Sequence, residues 1–326
     1  MLDKYREAGK IASKVRNEAA KKATAGMKVV DLVDWIESEI KSTGAGLSFP
    51  CNISINQIAA HYTAVPNDDT LLCNGDIVKI DLGAEVDGYI SDTAVTVIIE
   101  GDNADPYDED GKPLNMPGRL DDGNPVVTDD ELEERYNILD ASATALENVI
   151  SIVKDGVTLN DIGKEVETTM QDMGYNPITN LAGHSLEQYN LHAGLSIPNY
   201  PDGNTTQLKE GDHVAIEPFA TNGAGIVSDL PQYAIYSYIK SKPQRQPLSN
   251  QLLKNIRNNY SQFNFAGRHL LNDKFDERKL NRALRPLISS GCVYPFAVLK
   301  DKNDGMVAQT EHTIIVEKEG CEVTTL

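Results

Sequence analysis

The sequence predicts an α/β (α+β) fold with a central antiparallel sheet, flanking helices and a pseudo-twofold repeat. Three observations predict it. Two amphipathic helix patterns precede a pair of strands in the first half of the chain. The same order returns in the second half, with two helix patterns and then further strands. The first strand pair is joined by a tight Asp87-Gly88 turn, which is typical of an antiparallel hairpin.

The first half begins with two predicted helices, over residues 3–24 and 28–43. In the second of them, apolar side chains recur every three or four residues, which is the period of an amphipathic helix. Residues 76–86 alternate apolar and polar side chains, and residues 91–99 are rich in β-branched residues. Both features are typical of strands, so we expect the two segments to form a hairpin.

The second half repeats this order. Residues 131–153 and 159–173 have helical periodicity, whereas HVAIEPF (213–219) and EHTIIVEK (311–318) are typical of strands. Between these strands, residues 241–303 are predicted to be a helical insert with a short β segment near VYPFAVL. Placed on one sheet, the two halves bring their strands together at its centre.

Charge is unevenly distributed along the chain. The formal net charge of −19 excludes a general affinity for nucleic acid or for anionic membranes. Residues 101–130 carry nine acidic and two basic side chains and predict an acidic surface insertion. Residues 241–300 carry eleven basic and three acidic side chains, a net of +8. This basic segment is either a solvated helical face or a surface that docks on ribosomal RNA.

Composition also indicates the cellular compartment of the protein. The sequence has no apolar run of about eighteen residues, so we expect no membrane span. Its beginning lacks the apolar block of a secretory signal. Its four cysteines form no C-x-x-C pair and are expected to be free thiols. A cytoplasmic protein is the expectation.

Five dispersed residues suit the chemistry of a metal centre. They are Asp81, Asp92, His184, Glu217 and Glu311. Four carboxylates and one imidazole form a hard, oxygen-rich set that suits two divalent first-row ions. Two ions that share carboxylates can hold and deprotonate a bridging water, which is the chemistry of a hydrolase. Taken singly, each aspartate could instead belong to a turn or a strand end, and each buried glutamate to a structural ion pair.

Histidines provide further candidates for the site. His184 and His192 lie within AGHSLEQYNLHAG, with a glycine on each flank, which indicates tight backbone near a site. His61, in AAHYTAVPND, could donate a hydrogen bond to a substrate or to charge in the transition state. A loop histidine with no catalytic task is the alternative for His61.

Five segments occur in the order seen in methionine aminopeptidases. They are FPCNISINQIAAHY, KIDLGAEVDGYISDTAVTV, AGHSLEQYNLHAG, AIEPF and QTEHTIIV. The chain resembles the type 2 branch of that family in its archaeal form, because an insert of about sixty residues, 241–303, lies between the AIEPF and TEHT segments. The resemblance covers nearly the whole chain except the acidic stretch 101–130.

The resemblance implies a "pita-bread" fold. It assigns residues 1–240 and 304–326 to the catalytic domain and 241–303 to a helical, winged-helix-like type 2 subdomain. It implies that Asp81 chelates one ion and that Asp92 and Glu311 bridge both. His184 and Glu217 would complete the shell of the second ion. The native metal is left open among cobalt, manganese, iron and zinc.

The resemblance also implies the reaction, which is removal of an N-terminal methionine before a small second residue. His61 and His192 match the two histidines that contact substrate, and Glu217 is the candidate for proton transfer. The methionine pocket would be lined by Phe49, Leu191, Phe219 and Phe296. Phe296 departs from the commoner Tyr-Pro-Pro form, and Ile235 stands where some relatives carry a further histidine. The expected partners are nascent polypeptides that begin with Met, with the ribosome as a further possible partner, and the expected state is a monomer.

Two other functions compete with this one. The same fold serves Xaa-Pro aminopeptidases and prolidases, which carry an extra N-terminal domain, whereas about eighty residues precede Asp81 here. A non-catalytic relative that binds RNA or the ribosome would lose metal ligands, whereas all five are present here.

Overall fold

A computed structural model of the protein describes residues 2–101 and 127–326. Its helices are α1 Leu2–Lys22, α2 Val29–Ser42, α3 Asp129–Ile152, α4 Leu159–Asp172, α5 Pro247–Tyr260 and α6 Glu277–Ser289. The strands of the first half are β1 Gly46–Leu47, β2 Asn52–Ile55, β3 Ile58–Ala60, β4 Ile77–Val86 and β5 Tyr89–Ile98. Those up to the insert are β6 Asn176–Pro177, β7 Ala182–Ser185, β8 Ser196–Pro198, β9 His213–Ile216, β10 Phe219–Thr221 and β11 Val227–Tyr238. The remaining strands are β12 Phe265–Ala266, β13 Val293–Asp301, β14 Val307–Gln309, β15 His312–Val316 and β16 Cys321–Val323.

The first half is the predicted helix pair and hairpin. Strands β4 and β5 pair antiparallel along their full lengths, from Ile77 opposite Ile98 to Val86 opposite Tyr89. Asp87 has a φ of 53° and Gly88 one of 84°, which is the left-handed backbone that a two-residue hairpin turn requires. Helix α1 packs on β4 and β5, and the apolar face of α2 is buried in the same core beside α1, β1 and β2. This burial fixes which face of β4 points outward.

The second half repeats the arrangement with a separate core. Helices α3 and α4 pack together and cover β9 and β15 with apolar side chains. Helix α3 begins at Asp129, two residues before the predicted start, because Thr128 caps it. The Thr128 hydroxyl accepts from Glu131 N, and the Glu131 carboxylate accepts from Thr128 N at 2.8 Å. The end of the predicted insertion 101–130 therefore belongs to this helix, and residues 102–126 lie outside the described residues.

The two halves join where β5 meets the segment that leads into β15. Ala94 and Glu311 exchange backbone hydrogen bonds of 3.3 and 3.1 Å. The Thr313 hydroxyl accepts from Asp92 N and donates to Asp92 O, both at 2.8 Å. Thr93 Oγ1 donates to Glu311 O at 2.8 Å. These bonds fix two acidic residues of different halves beside one another at the centre of the fold.

The insert has its own core, and its last strand also pairs with strands outside the insert. Side chains of α5 and α6 pack with Phe265, Leu270 and Phe275. Strand β13 is longer than the short β segment that the sequence predicts, because it pairs with β11 along one edge and with β3 along the other. The residues that follow α6 thus form a sheet with β11 and with β3 of the first half. The assignment of 241–303 to a winged-helix-like subdomain stays a prediction.

Two further findings concern the chain as a whole. The expectation of one strand over 213–219 is wrong, because β9 ends at Ile216 and β10 begins at Phe219. None of the helices in residues 2–101 and 127–326 is both long and apolar enough to cross a bilayer.

Candidate metal centre and substrate pocket

A cavity of about 230 Å³ lies at the junction of the two halves. The structure brings every site residue predicted from the sequence to its wall. These residues are Phe49, His61, Asp81, Asp92, His184, Leu191, His192, Glu217, Phe219, Phe296 and Glu311. Asp81, Asp92, His184, Glu217 and Glu311 form what we call the acidic end of the cavity.

Strand register places the two aspartates on one face. Asp81 stands opposite Ala94, and Asp92 stands opposite Gly83. Each aspartate is therefore the diagonal neighbour of the other across the β4–β5 ladder, with both side chains on the same side of the sheet. The hairpin that the sequence predicts is sufficient to produce this pair.

The two glutamates come from just outside their strands. The sequence placed both inside strands, and that expectation is wrong. Pro218 has no N–H for a ladder hydrogen bond, so β9 stops at Ile216, whose partner across the sheet is His312 at the start of β15. Glu217 and Glu311 follow and precede these paired residues, and both face the cavity.

The acidic end of the cavity fits a cation. Ligand atoms of Asp92, His184 and Glu311 all lie within 4.8 Å of one another, and His184 Nε2 is 3.5 Å from Asp92 Oδ2. Among the buried atoms without a hydrogen-bond partner in the described part of the chain, four belong to predicted metal ligands: Asp81 Oδ1, Asp92 Oδ1, His184 Nδ1 and Glu311 Oε1. Unpaired buried polar atoms are costly. Metal ions would supply the missing partner to the three carboxylate oxygens, with His184 Nε2, which faces Asp92, as the imidazole ligand.

The electrostatics agree with this fit. Burial raises the pKa of Asp81, Glu217 and Glu311 well above their ordinary values, and the neighbouring carboxylates raise it further. Burial also raises the pKa of Asp92 to about 7, although its hydrogen bond with Glu311 opposes this. Four acids in one dry site cannot all ionise without counter-charge. Divalent cations provide that charge.

His61 has a fixed tautomer. Its Nδ1 lies 3.1 Å from Ala297 O, and because a carbonyl only accepts, Nδ1 carries the proton. Burial lowers the pKa of His61, so the ring is neutral and Nε2 is an acceptor. Its backbone lies in the left-handed region at a φ of 65°, a strained conformation of the kind found at functional sites.

His192 lies beside the acidic end of the cavity. Its ring centroid is 4.5 Å from that of His184, and the planes are inclined by 59°. Burial and the neighbouring His184 lower the pKa of His192 to about 4. A neutral His192 can therefore donate or accept a hydrogen bond without adding charge to the site.

Aromatic and aliphatic side chains form much of the remaining cavity lining. Phe49 and Phe219 are buried, and Phe296 meets the His61 ring edge to face at 5.6 Å. Leu191 and Ile235 complete the apolar lining. Such a pocket suits an unbranched, polarisable thioether side chain.

Sequence analysis missed several polar residues of the wall. Asn52, Asn180 and Asn264 line the cavity, and Gln309 Nε2 donates to Glu217 Oε2 at 3.1 Å. Asn52 faces Asp81 across the β2–β4 ladder, and its Oδ1 is buried without a partner in the described residues. Only the strand register brings Asn52 next to Asp81, and the residues between them show no periodic pattern that predicts this pairing.

Comparison with known proteins identifies the family. The profile of metallopeptidase family M24 matches residues 3–318. The chain belongs to this family. A methionine aminopeptidase of Methanothermobacter thermautotrophicus is 43% identical over 325 residues, which cover 100% of this chain and 99% of that protein. This match confirms the resemblance to methionine aminopeptidases and the prediction of a metallo-exopeptidase.

Solved structures share the fold. A thermophilic Arx1 superposes with a TM-score of 0.80 at 19% identity, covering 99% of this chain and 90% of that one. The methionine aminopeptidase of Rickettsia prowazekii gives 0.64 at 22% identity, covering 100% and 96%. At these identities the likeness concerns architecture, and it confirms the predicted M24 pita-bread fold.

Proposed function

We propose that this M24 enzyme removes the N-terminal methionine from polypeptides and does so with two divalent ions held by Asp81, Asp92, His184, Glu217 and Glu311. The observation that carries the proposal is the convergence of unpaired buried carboxylate oxygens in a cavity that is also lined by aromatic and aliphatic side chains. Two ions there would supply Lewis acidity and a water of lowered pKa. The remaining chemistry belongs to side chains of the chain itself.

Glu217 is the proton carrier in this proposal. It is buried, and the hydrogen bond from Gln309 fixes one of its oxygens. As an ionised carboxylate beside the bound ions, it would accept a proton from the attacking water and then deliver that proton to the leaving amine. The Gln309 amide would hold the carboxylate in one orientation through both transfers.

The two histidines orient the peptide. Neutral His61 presents Nε2 as an acceptor, so it would take a hydrogen bond from a substrate N–H rather than stabilise negative charge. His192 is then the group that can donate to the carbonyl oxygen as charge develops. This division of roles refines the sequence-based expectation, in which His61 donated.

The pocket sets the specificity of the first residue. Phe49, Leu191, Phe219 and Phe296 would enclose the methionine side chain, and a small second residue would follow it. The amino terminus would lie at the acidic end of the cavity, so a chain is cut at its first residue and nowhere else.

The test combines metal content with hydrolysis of a Met-Ala-Ser peptide. Wild-type protein should bind two ions and cleave the peptide, whereas Asp92→Asn should bind fewer and lose at least about a hundredfold in kcat/KM. Asp172→Asn is the matched control, because Asp172 is an exposed aspartate at the end of α4. Full activity of Asp92→Asn, or cleavage of Xaa-Pro peptides in preference to Met-Ala-Ser, would overturn the proposal.

The working context follows from the proposed substrate. Nascent chains emerge in the cytoplasm, where we place the enzyme. We also propose that the insert docks on ribosomal RNA through exposed Lys254, Arg257, Arg282 and Arg285, which lie on α5 and α6. Reversal of all four to Glu should abolish cosedimentation with ribosomes at working salt. Unchanged cosedimentation would assign these residues to a solvated face.

A further inference from the structure

A second cavity adjoins the substrate pocket. It measures about 270 Å³, and its walls include His61 and Phe296, which also line the pocket. The two cavities are therefore separated by one histidine and one aromatic ring. Asp229, Tyr233 and Tyr294 line the part of the second cavity that lies farther from the pocket. We call this second cavity the Asp229 groove.

A break in a β ladder opens the groove. Asp229 pairs with Leu299, but the next paired residue on β11 is Tyr233, which stands opposite Ala297. Three residues of β11 thus span a gap of one residue on β13, and one of the three is Pro231, which cannot donate to a ladder. Bulges beside active sites commonly redirect side chains, and this one separates the side chains of Asp229 and Tyr233.

The chemistry of the groove suits a cation. The side chains of Tyr233 and Tyr294 are among the most exposed aromatics of the described chain, at 47% and 55%. The rings of Tyr294 and Phe296 pack in a T-shaped arrangement, with 5.1 Å between their centroids. No side chain in residues 2–101 and 127–326 forms an ion pair or hydrogen bond with the Asp229 carboxylate. Two available aromatic faces beside an uncompensated carboxylate attract an ammonium or guanidinium group.

The position of the groove indicates which cation enters it. The groove shares His61 with the pocket, and the proposed function places His61 against an N–H of the substrate peptide, so the peptide beyond the cleaved bond is the part of the substrate nearest to the groove. The groove begins at His61 and opens to solvent. We propose that the Asp229 groove is a subsite for a Lys or Arg side chain of the substrate, between its third and fifth residues. This inference rests on the proposed function, since it assigns the part of the same substrate that follows the cleaved bond.

The experiment measures kcat/KM of the metal-loaded enzyme for peptides that differ at one position. Peptides Met-Ala-Ser-Gly-Ser-Gly with Lys, Gln or Glu placed singly at position three, four or five are compared. At one of these positions wild-type enzyme should prefer Lys over Gln by roughly fivefold, as an exposed cation–π contact and ion pair together predict. The preference should fall to below about twofold in Asp229→Asn, where only the aromatic contact remains, and should also be reduced in Tyr233→Leu. In Asp229→Lys it should reverse in favour of Glu.

The design separates local recognition from the net charge of the protein. Asp172→Asn removes the same charge at a distant exposed site and should keep the wild-type preference. A preference below about twofold at all three positions, or one that survives in Asp229→Asn, would overturn the inference and leave the proposed function intact. Failure to cleave any of the peptides would instead refute the proposed function.

Discussion

Glu37 offers the sharpest test of how the insert is attached to the catalytic domain. It lies on α2 with 5% of its side chain exposed. Its carboxylate accepts hydrogen bonds from Arg268 Nη2, from His269 Nε2 at 2.8 Å and from Cys51 N at 3.3 Å. Arg268 also donates to Thr63 Oγ1 at 2.8 Å. The chain segments before and after these contacts include Phe49, Asn52, His61 and Asn264, all of which line the cavity.

The pKa of Glu37 gives the size of its contribution to the free energy of unfolding. Burial raises it, but the hydrogen bond from His269 and the charges of His269, Arg268 and Lys41 outweigh burial and lower it from 4.5 to about 2. At about 1.36 kcal/mol per pH unit, ionised Glu37 contributes about 3 kcal/mol to the free energy of unfolding. Because the folded pKa is the lower one, this contribution is complete above about pH 5.5. It is lost as the pH falls through 4.5 towards 2.

The variant is Glu37→Gln, compared with wild type by urea unfolding at a series of pH values. We expect the variant to be less stable by about 3 kcal/mol at pH 7 and by roughly half of that at pH 3. The matched control is Glu7→Gln, since Glu7 is exposed on α1, and it should change stability by less than about 0.5 kcal/mol. A difference between wild type and Glu37→Gln that stays constant from pH 7 to pH 3 would refute the electrostatic reasoning.

Three further predictions concern the metal centre and the pocket. A Cβ on Gly183 would lie 2.3 Å from Ala215 O, so Gly183→Ala should displace β7. Metal affinity measured by calorimetry should fall at least about tenfold, and the free energy of unfolding should fall by about 2 kcal/mol. Burial raises the pKa of Asp92 from 3.8 to about 7, so the folded state gains stability from protonated Asp92 and loses it as the pH rises through about 7. The free energy of unfolding of chelator-treated protein should therefore be lower at pH 8 than at pH 5.5. Added Mn²⁺ should remove that difference. Phe219 is 2% exposed; Phe219→Ala should cost about 3 kcal/mol in urea unfolding and raise KM for Met-Ala-Ser, whereas an unchanged KM would place Phe219 outside the pocket.

Local patterns account for what the sequence predicted well. The helices at residues 3–24, 28–43, 131–153 and 159–173 form within two residues of their predicted ends, because each depends on periodicity and caps within one segment. The β4–β5 hairpin depends on alternation and on one turn. Asp81 and Asp92 come together through that turn, so the sequence could place this pair without knowledge of the rest of the chain.

Long-range pairing decided what the sequence did not predict. Strand β11 has no regular alternation of buried and exposed residues, and its length depends on β13, more than fifty residues later. The Glu37–Arg268 contact spans 231 residues, and no local pattern indicates it. The break at Pro218 could have been anticipated from proline chemistry, but its effect on Glu217 follows from the pairing of β9 with β15.

The sequence by itself determined the family, the five candidate ligands and the separate elements that carry them, because hydrophobic periodicity, turn residues and ligand chemistry are properties of short segments. The tertiary structure alone decided which atoms remain unpaired beside each other, which nitrogen of His61 carries the proton and where the Asp229 groove opens. Those features arise where segments distant in the chain pack together, and packing is set by the summed burial of the whole core rather than by any one segment.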